Sequence, residues 1–169
     1  MTTEPFTVNA PGRVFLFGEH SDYLGLEVIS AALNKIITIK VEPIAEKSIN
    51  INYIDLEEED SFDINDSLVY RHKRDYVRSS LNILKKKKII PKCGANLEIS
   101  GSIPIAAGLA SSSALSVASI MTFLKLANVK FSKEEISHAF KLIRYYDIIR
   151  IILFKVRNPY FFYLLYFFF

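Results

Sequence analysis

Two polar constellations have residue types and spacing that suit chemistry. The first is Pro104-Ile-Ala-Ala-Gly108-Leu109-Ala110-Ser111-Ser112-Ser113-Ala114. Small residues let the backbone approach a ligand closely. The free N–H groups of a first helical turn, aided by the helix dipole, favour an anion such as a nucleotide phosphate. The hydroxyls of Ser111, Ser112 and Ser113 can hydrogen-bond a phosphate or give oxygen to Mg²⁺, a hard cation that takes few protein oxygens beside phosphates. The segment is not a Walker loop, because no Gly-Lys-[Ser/Thr] follows the glycine, and it is not a dinucleotide fingerprint. Serines at a helix start also act as caps, so capping stands beside phosphate binding as an alternative.

The second constellation, residues 10–25, reads Ala-Pro-Gly-Arg-Val-Phe-Leu-Phe-Gly-Glu-His-Ser-Asp-Tyr-Leu-Gly. Arg13 heads an apolar strand, so its guanidinium must meet an anion or stay at the strand's mouth. Glu19, His20 and Asp22 follow, bounded by Gly18 and Gly25, in a loop able to aim several hydrogen-bonding groups at one polyol. A sugar suits that arrangement; a polar turn with Asp22 as a cap is the alternative. A metal held by His20 with Glu19 and Asp22 is disfavoured, since adjacent residues rarely converge on one ion without further ligands.

The elements that must position these residues follow from periodicity. Residues 14–17 form a short apolar strand, residues 28–41 contain the β-branched run Ile36-Ile37-Thr38-Ile39, and residues 49–54 supply an antiparallel partner. The acidic stretch 55–66 reads as a solvated loop. Residues 68–88 place Val69, Val77, Leu81 and Leu84 near helical spacing and end in four lysines suited to a helix C-terminus, with an anion-attracting patch as the other reading of that run. Ala95, Leu97 and Ile99 alternate with polar residues as a half-buried strand, residues 115–126 form a helix, and Ser132 with Glu135 has capping-box spacing for a helix over 136–143. The predicted class is α+β.

Composition narrows the function classes. With 50% hydrophobic and 23% charged residues over 169 positions, the chain can build a core and is not globally disordered. A net charge of +3 is too small to imply an electrostatic nucleic-acid binder. The single cysteine, Cys93, excludes an internal disulfide and reads as a small buried or strand-edge residue. The N-terminus lacks a signal-peptide pattern, so a cytoplasmic protein is expected. No repeat of 20 to 50 residues occurs.

The two constellations, in this order, resemble the first two signature motifs of the GHMP small-molecule kinases, and the galactokinase branch fits best. That family opens with an Ala-Pro-Gly-Arg strand leading into Gly-Glu-His-x-Asp-Tyr, matched over residues 10–23, whereas the mevalonate kinase branch usually lacks the Asp-Tyr. Its phosphate motif, Pro-x-x-x-Gly-Leu-x-Ser-Ser-[Ser/Ala]-Ala, is matched over 104–114, and the resemblance covers residues 8 to about 140. It implies a ribosomal protein S5 domain 2-like fold and ATP-dependent transfer of the γ-phosphoryl group to a sugar hydroxyl. By the same resemblance, Gly108, Leu109, Ala110, Ser111, Ser112 and Ser113 hold the ATP phosphates, and Ser112 or Ser113 contacts Mg²⁺. Glu19, His20 and Asp22 bind the sugar, and Arg13 sits beside the reacting hydroxyl as the catalytic residue. No nucleic acid or membrane partner is implied.

Three departures accompany the resemblance. Phe15 stands where the galactokinase signature normally has Asn. No glycine-rich segment ending in Met-Asp-Gln, whose Asp is the family's proposed base, occurs after Leu142, and Asp147 is not given that role. The third glycine-rich motif and the C-terminal domain have no counterpart, so a partial N-terminal domain over 1–142 with impaired turnover is expected. The alternatives are a non-catalytic ATP- or sugar-binding regulator and another member such as mevalonate kinase. Residues 143–169 change regime, with Phe, Tyr, Ile and Leu dominating, and are expected not to be native to the fold. Translation of a wrong frame or intron is the leading reading. A helix packed on a partner is another, and a membrane anchor is a third, although Lys155, Arg157, Asn158 and Pro159 leave only ten residues from Tyr160 against the roughly 20 a span requires.

Overall fold

A computed structural model of the chain describes residues 4–18, 26–27, 29–68, 70, 75–104, 107–130 and 132. Apart from Ser132, the helix expected over 136–143, its capping box and the tail 143–169 lie outside the described residues. The strands are β1 (Phe6–Phe17), β2 (Ile29–Ile44), β3 (Ser48–Tyr53), β4 (Glu58–Asp63) and β5 (Gly94–Gly101), with helices α1 (Tyr76–Lys86) and α2 (Ser111–Leu126). They form one five-stranded sheet in the order β1-β2-β5-β3-β4, in which only β3 and β5 run parallel. The mixed sheet with two helices agrees with the predicted class.

Alternation along the strands assigns the faces. Val8, Ala10, Ile39, Val41, Ile49, Ile51, Leu97 and Ile99 join Val77, Leu81, Leu84, Ile120 and Phe123 of the helices in one core. The opposite face carries a polar ladder, with Thr38 donating to Asn9 at 3.0 Å, Asn50 to Asn96 at 2.9 Å and Lys40 paired with Glu98 at 3.2 Å. Helix α2 packs on β1, β2 and α1.

Three expectations need correction. Strand β1 begins at Phe6, eight residues before the apolar run at Val14, because Pro11 is tolerated on an edge strand and a bulge between Pro11 and Arg13 absorbs Gly12. Strand β3 does not pair with β2, because β5 is inserted between them. The stretch 55–66 is not a solvated loop. It holds a single 3₁₀ turn (Ile54–Leu56), then β4, then Ile64, which is fully buried.

The acidity of β4 has a structural cause. Arg78 of α1 is buried and meets Asp60 through both guanidinium nitrogens, one of them at 2.8 Å, and Asp75 at 2.9 Å. It also donates to the Ser61 carbonyl at 3.2 Å and lies 4.7 Å from the Phe62 ring centroid. Burial opposes the guanidinium's charge, but the bonds to Asp60 and Asp75 outweigh it and raise its pKa. Asp75 also caps α1 by accepting from the Arg78 backbone N–H at 3.1 Å, which is why the helix begins at Tyr76 rather than at Leu68. Beside this cluster, burial first and then the carboxylates of Asp75 and Asp60 push the Tyr53 phenol well above its ordinary value.

Candidate active site

At the start of the second helix, the bulge in β1 and the N-terminus of α2 meet. The bulge takes Gly12 out of register with β2, and the Arg13 backbone N–H donates to the Leu109 carbonyl at 3.0 Å. Close approach dictates glycine at position 12: a Cβ there would lie 2.9 Å from the Leu109 oxygen and 3.1 Å from Ile103 Cδ1. The two sequence constellations are therefore in direct backbone contact. The Arg13 guanidinium lies 4.2 Å from the Phe15 ring centroid, so the aromatic residue that departs from the resembled signature holds the arginine through a cation–π contact on its own side of the strand.

The loop leading into α2 carries two left-handed residues, Gly108 with φ 72° and Ala110 with φ 60°. A Cβ at Gly108 meets nothing within 4 Å, so glycine serves backbone conformation there rather than packing. Ala110 occupies the N-cap position, and a methyl group cannot accept the hydrogen bonds that Ser, Thr or Asp would accept. Helix α2 starts one turn earlier than the predicted Leu115, which puts Ser111, Ser112 and Ser113 inside its first turn. None of the three is the cap, and the capping alternative fails. The first intrahelical bond of the turn is Ala114 N–H to Ala110 O at 3.0 Å, so the N–H groups of Ser111 to Ser113 precede the ladder and point along the dipole. Among the described residues none of the three hydroxyls has a hydrogen-bond partner, while the Ser112 carbonyl accepts from Ser116 Oγ at 2.9 Å.

The loop is fixed at its entry as well as its exit. Ser102 N–H donates to the Ile36 carbonyl at 2.9 Å, its Oγ accepts from Ile36 N–H at 3.0 Å, and the Gly101 N–H donates to Asp55 at 2.6 Å. Gly12, Ile103, Ser102 and Asp55 were not legible as loop supports in the sequence. Glycine before Arg13 was the one available signal, whereas Asp55 was hidden in an acidic run.

Among the described residues no group of three or more His, Cys, Asp or Glu could hold a metal. The hydroxyls of Ser112 and Ser113 are hard oxygen donors, so they fit an ion of the Mg²⁺ kind that draws most of its ligands from phosphates and water. Arg13 and residues 108–113 are thus gathered at one place. Glu19, His20 and Asp22 lie outside the described residues. No helix among the described residues is long and apolar enough to cross a membrane.

Comparison with known proteins agrees with this geometry. The GHMP kinases N terminal domain family matches residues 75–148, and the galactokinase galactose-binding signature matches residues 1–43. The chain is 33% identical over 138 residues to a mevalonate kinase of Pyrococcus furiosus, covering 76% of the chain and 41% of that protein. It is 34% identical over 130 residues to a galactokinase of Chloroflexus aurantiacus, covering 76% of the chain and 33% of that protein. The crystal structure of Lactococcus lactis galactokinase complexed with galactose superposes with a TM-score of 0.79 at 26% identity, covering 87% of the chain and 39% of that structure. The chain spans less than half the length of these relatives.

Proposed function

The chain belongs to the GHMP kinase family, and from that premise we propose that it is the N-terminal part of an ATP-dependent kinase that phosphorylates a hydroxyl of a small sugar. The observation that carries the reading is the Arg13–Leu109 backbone contact, which joins the acceptor-side strand to the phosphate-side helix across Gly12. The galactose-binding signature over residues 1–43 supports a sugar as acceptor.

The acceptor hydroxyl oxygen attacks the γ-phosphorus of ATP, the bond from that phosphorus to the β,γ-bridging oxygen breaks, ADP leaves, and the hydroxyl proton passes to solvent water. The transition state is loose and demands positioning and charge stabilisation more than covalent chemistry from the protein. Backbone N–H groups of Ser111 to Ser113 bind the phosphate oxygens, with Gly108, Leu109 and Ala110 shaping the turn around them. Arg13 stabilises negative charge on the transferring group, steadied by Phe15. Glu19, His20 and Asp22 hold the sugar hydroxyls. Ser112 or Ser113 would hold Mg²⁺, which when bound would neutralise phosphate charge.

No Met-Asp-Gln segment in these 169 residues offers the base of the resembled family. Turnover by this chain on its own is therefore proposed to be impaired, in a domain over 1–142. A second acceptor, the mevalonate type of alcohol, is favoured by the Pyrococcus furiosus relative. The test is ATP titration of the purified chain, followed by thermal shift and ADP release with galactose or mevalonate. The expected result is Mg²⁺-dependent ATP binding, a galactose-dependent shift and little ADP. Absence of ATP binding would overturn the kinase reading, and a shift with mevalonate alone would replace the sugar by the other acceptor.

A further inference from the structure

The geometry points to Asp55 as a positioning residue that sets the phosphate loop, although it lies in an acidic run far from that loop in sequence. Strand β3 pairs with β5 as far as Tyr53 opposite Ile99, and then ends. Two residues further along β5, the Gly101 N–H faces the side that β3 has vacated, and the Asp55 carboxylate accepts from it at 2.6 Å. A side chain thus replaces the missing strand at the last rung before the loop. On the other side of the same backbone, Ser102 is held by both the N–H and the carbonyl of Ile36 in β2. A Cβ at Gly101 would lie 2.5 Å from Ile37 Cδ1, so the end of that side chain would have to shift.

The consequence for the loop is geometric. From Ser102 the chain passes the buried Ile103 and returns to β1 at Leu109, where the Arg13 N–H grips it. Both fixed ends therefore sit on the β1–β2–β5 end of the sheet, and the conformation of Gly108 and Ala110 depends on where the entry is held. Asp55 is exposed, so it is not needed for the core. A charge-assisted bond to a backbone N–H is stronger than a neutral one and gives the entry a fixed direction.

The inference rests on residues 108–113 binding ATP phosphates, and its test separates the two. Asp55→Ala, Asp55→Asn and the control Lys40→Ala, which breaks the exposed pair with Glu98 elsewhere on the sheet, are made in the full 169-residue chain. Amide hydrogen exchange over 101–113, thermal midpoint and ATP affinity are measured for each. Asp55→Ala is expected to speed exchange over 101–113 about fivefold, as loss of one hydrogen bond allows, and to weaken ATP binding by a similar factor while the midpoint stays close to that of Lys40→Ala. Asp55→Asn, which keeps a carbonyl acceptor, is expected to restore most of both. Unchanged exchange in Asp55→Ala, or an Asp55→Asn variant as impaired as Asp55→Ala, would overturn the inference. If the parent chain binds no ATP, the kinase reading fails and the exchange measurement still decides the role of Asp55.

Discussion

The starts of the two helices handle polar groups in opposite ways. At the Arg78 corner every charge is answered: the guanidinium has two carboxylates, a carbonyl and an aromatic face, and one of those carboxylates also caps α1. At the start of α2 a left-handed alanine sits where a capping side chain belongs, and the hydroxyls of three half-buried serines and the N–H groups beside them have no protein partners among the described residues. A saturated polar cluster locks elements together, whereas an unsaturated one on a rigid frame is fit to receive a ligand. One corner ties elements together, and the other leaves hydrogen-bonding groups open at some local cost.

That contrast can be broken or sharpened by substitution. The largest effect is expected from Arg78→Met, which strands two carboxylates in a buried corner and should cost about 3–5 kcal/mol in urea unfolding, while ATP affinity of the remaining folded chain is unchanged. A matching loss of affinity would show that the corners are coupled. Gly12→Ala should affect both properties, because the new Cβ meets the Leu109 carbonyl; about 1–3 kcal/mol of destabilisation and at least a tenfold loss of ATP affinity are expected, read by urea titration and ATP titration. Ser112→Ala with Ser113→Ala should leave unfolding within about 0.5 kcal/mol yet weaken Mg²⁺-dependent ATP binding severalfold in the same titration.

The smallest effect concerns pH. The Tyr53 phenol has a raised pKa in the folded chain, so the unfolded chain ionises first, from its ordinary value of 10.0 upward. Stability is fully present below that value and falls as pH rises above it. Denaturation midpoints between pH 8 and about 11.5 should show this decline, and Tyr53→Phe should flatten it; an equal decline in both proteins would assign the effect to other groups.

Much of the frame was legible in the amino-acid sequence. The period of two in Ala95, Leu97 and Ile99 placed β5, and the β-branched run near Ile37 placed β2, because both strands bury one face. The turn into α2 was legible from its small residues and position before a helix. What stayed hidden depended on partners distant in sequence. Pro11 and Gly12 did not read as part of a strand because local propensity carries no knowledge of an edge strand or of the carbonyl at Leu109. The acidic run around Asp60 looked solvated because Arg78, its partner, lies on a helix eighteen residues later. Asp55 was unreadable for the same reason, its partner being the N–H of Gly101. Strand order was equally non-local, since nothing in β3 announces that β5 will come between it and β2.

The insertion of β5 between two earlier strands also bears on how the molecule is made. Until residues 94–101 have left the ribosome, β2 and β3 each present an open hydrogen-bonding edge, and neither half of the sheet can be closed by local pairing alone. The turn that enters α2 comes directly after the strand that completes the sheet, so a nascent chain forms that end only once these two inner edges are closed.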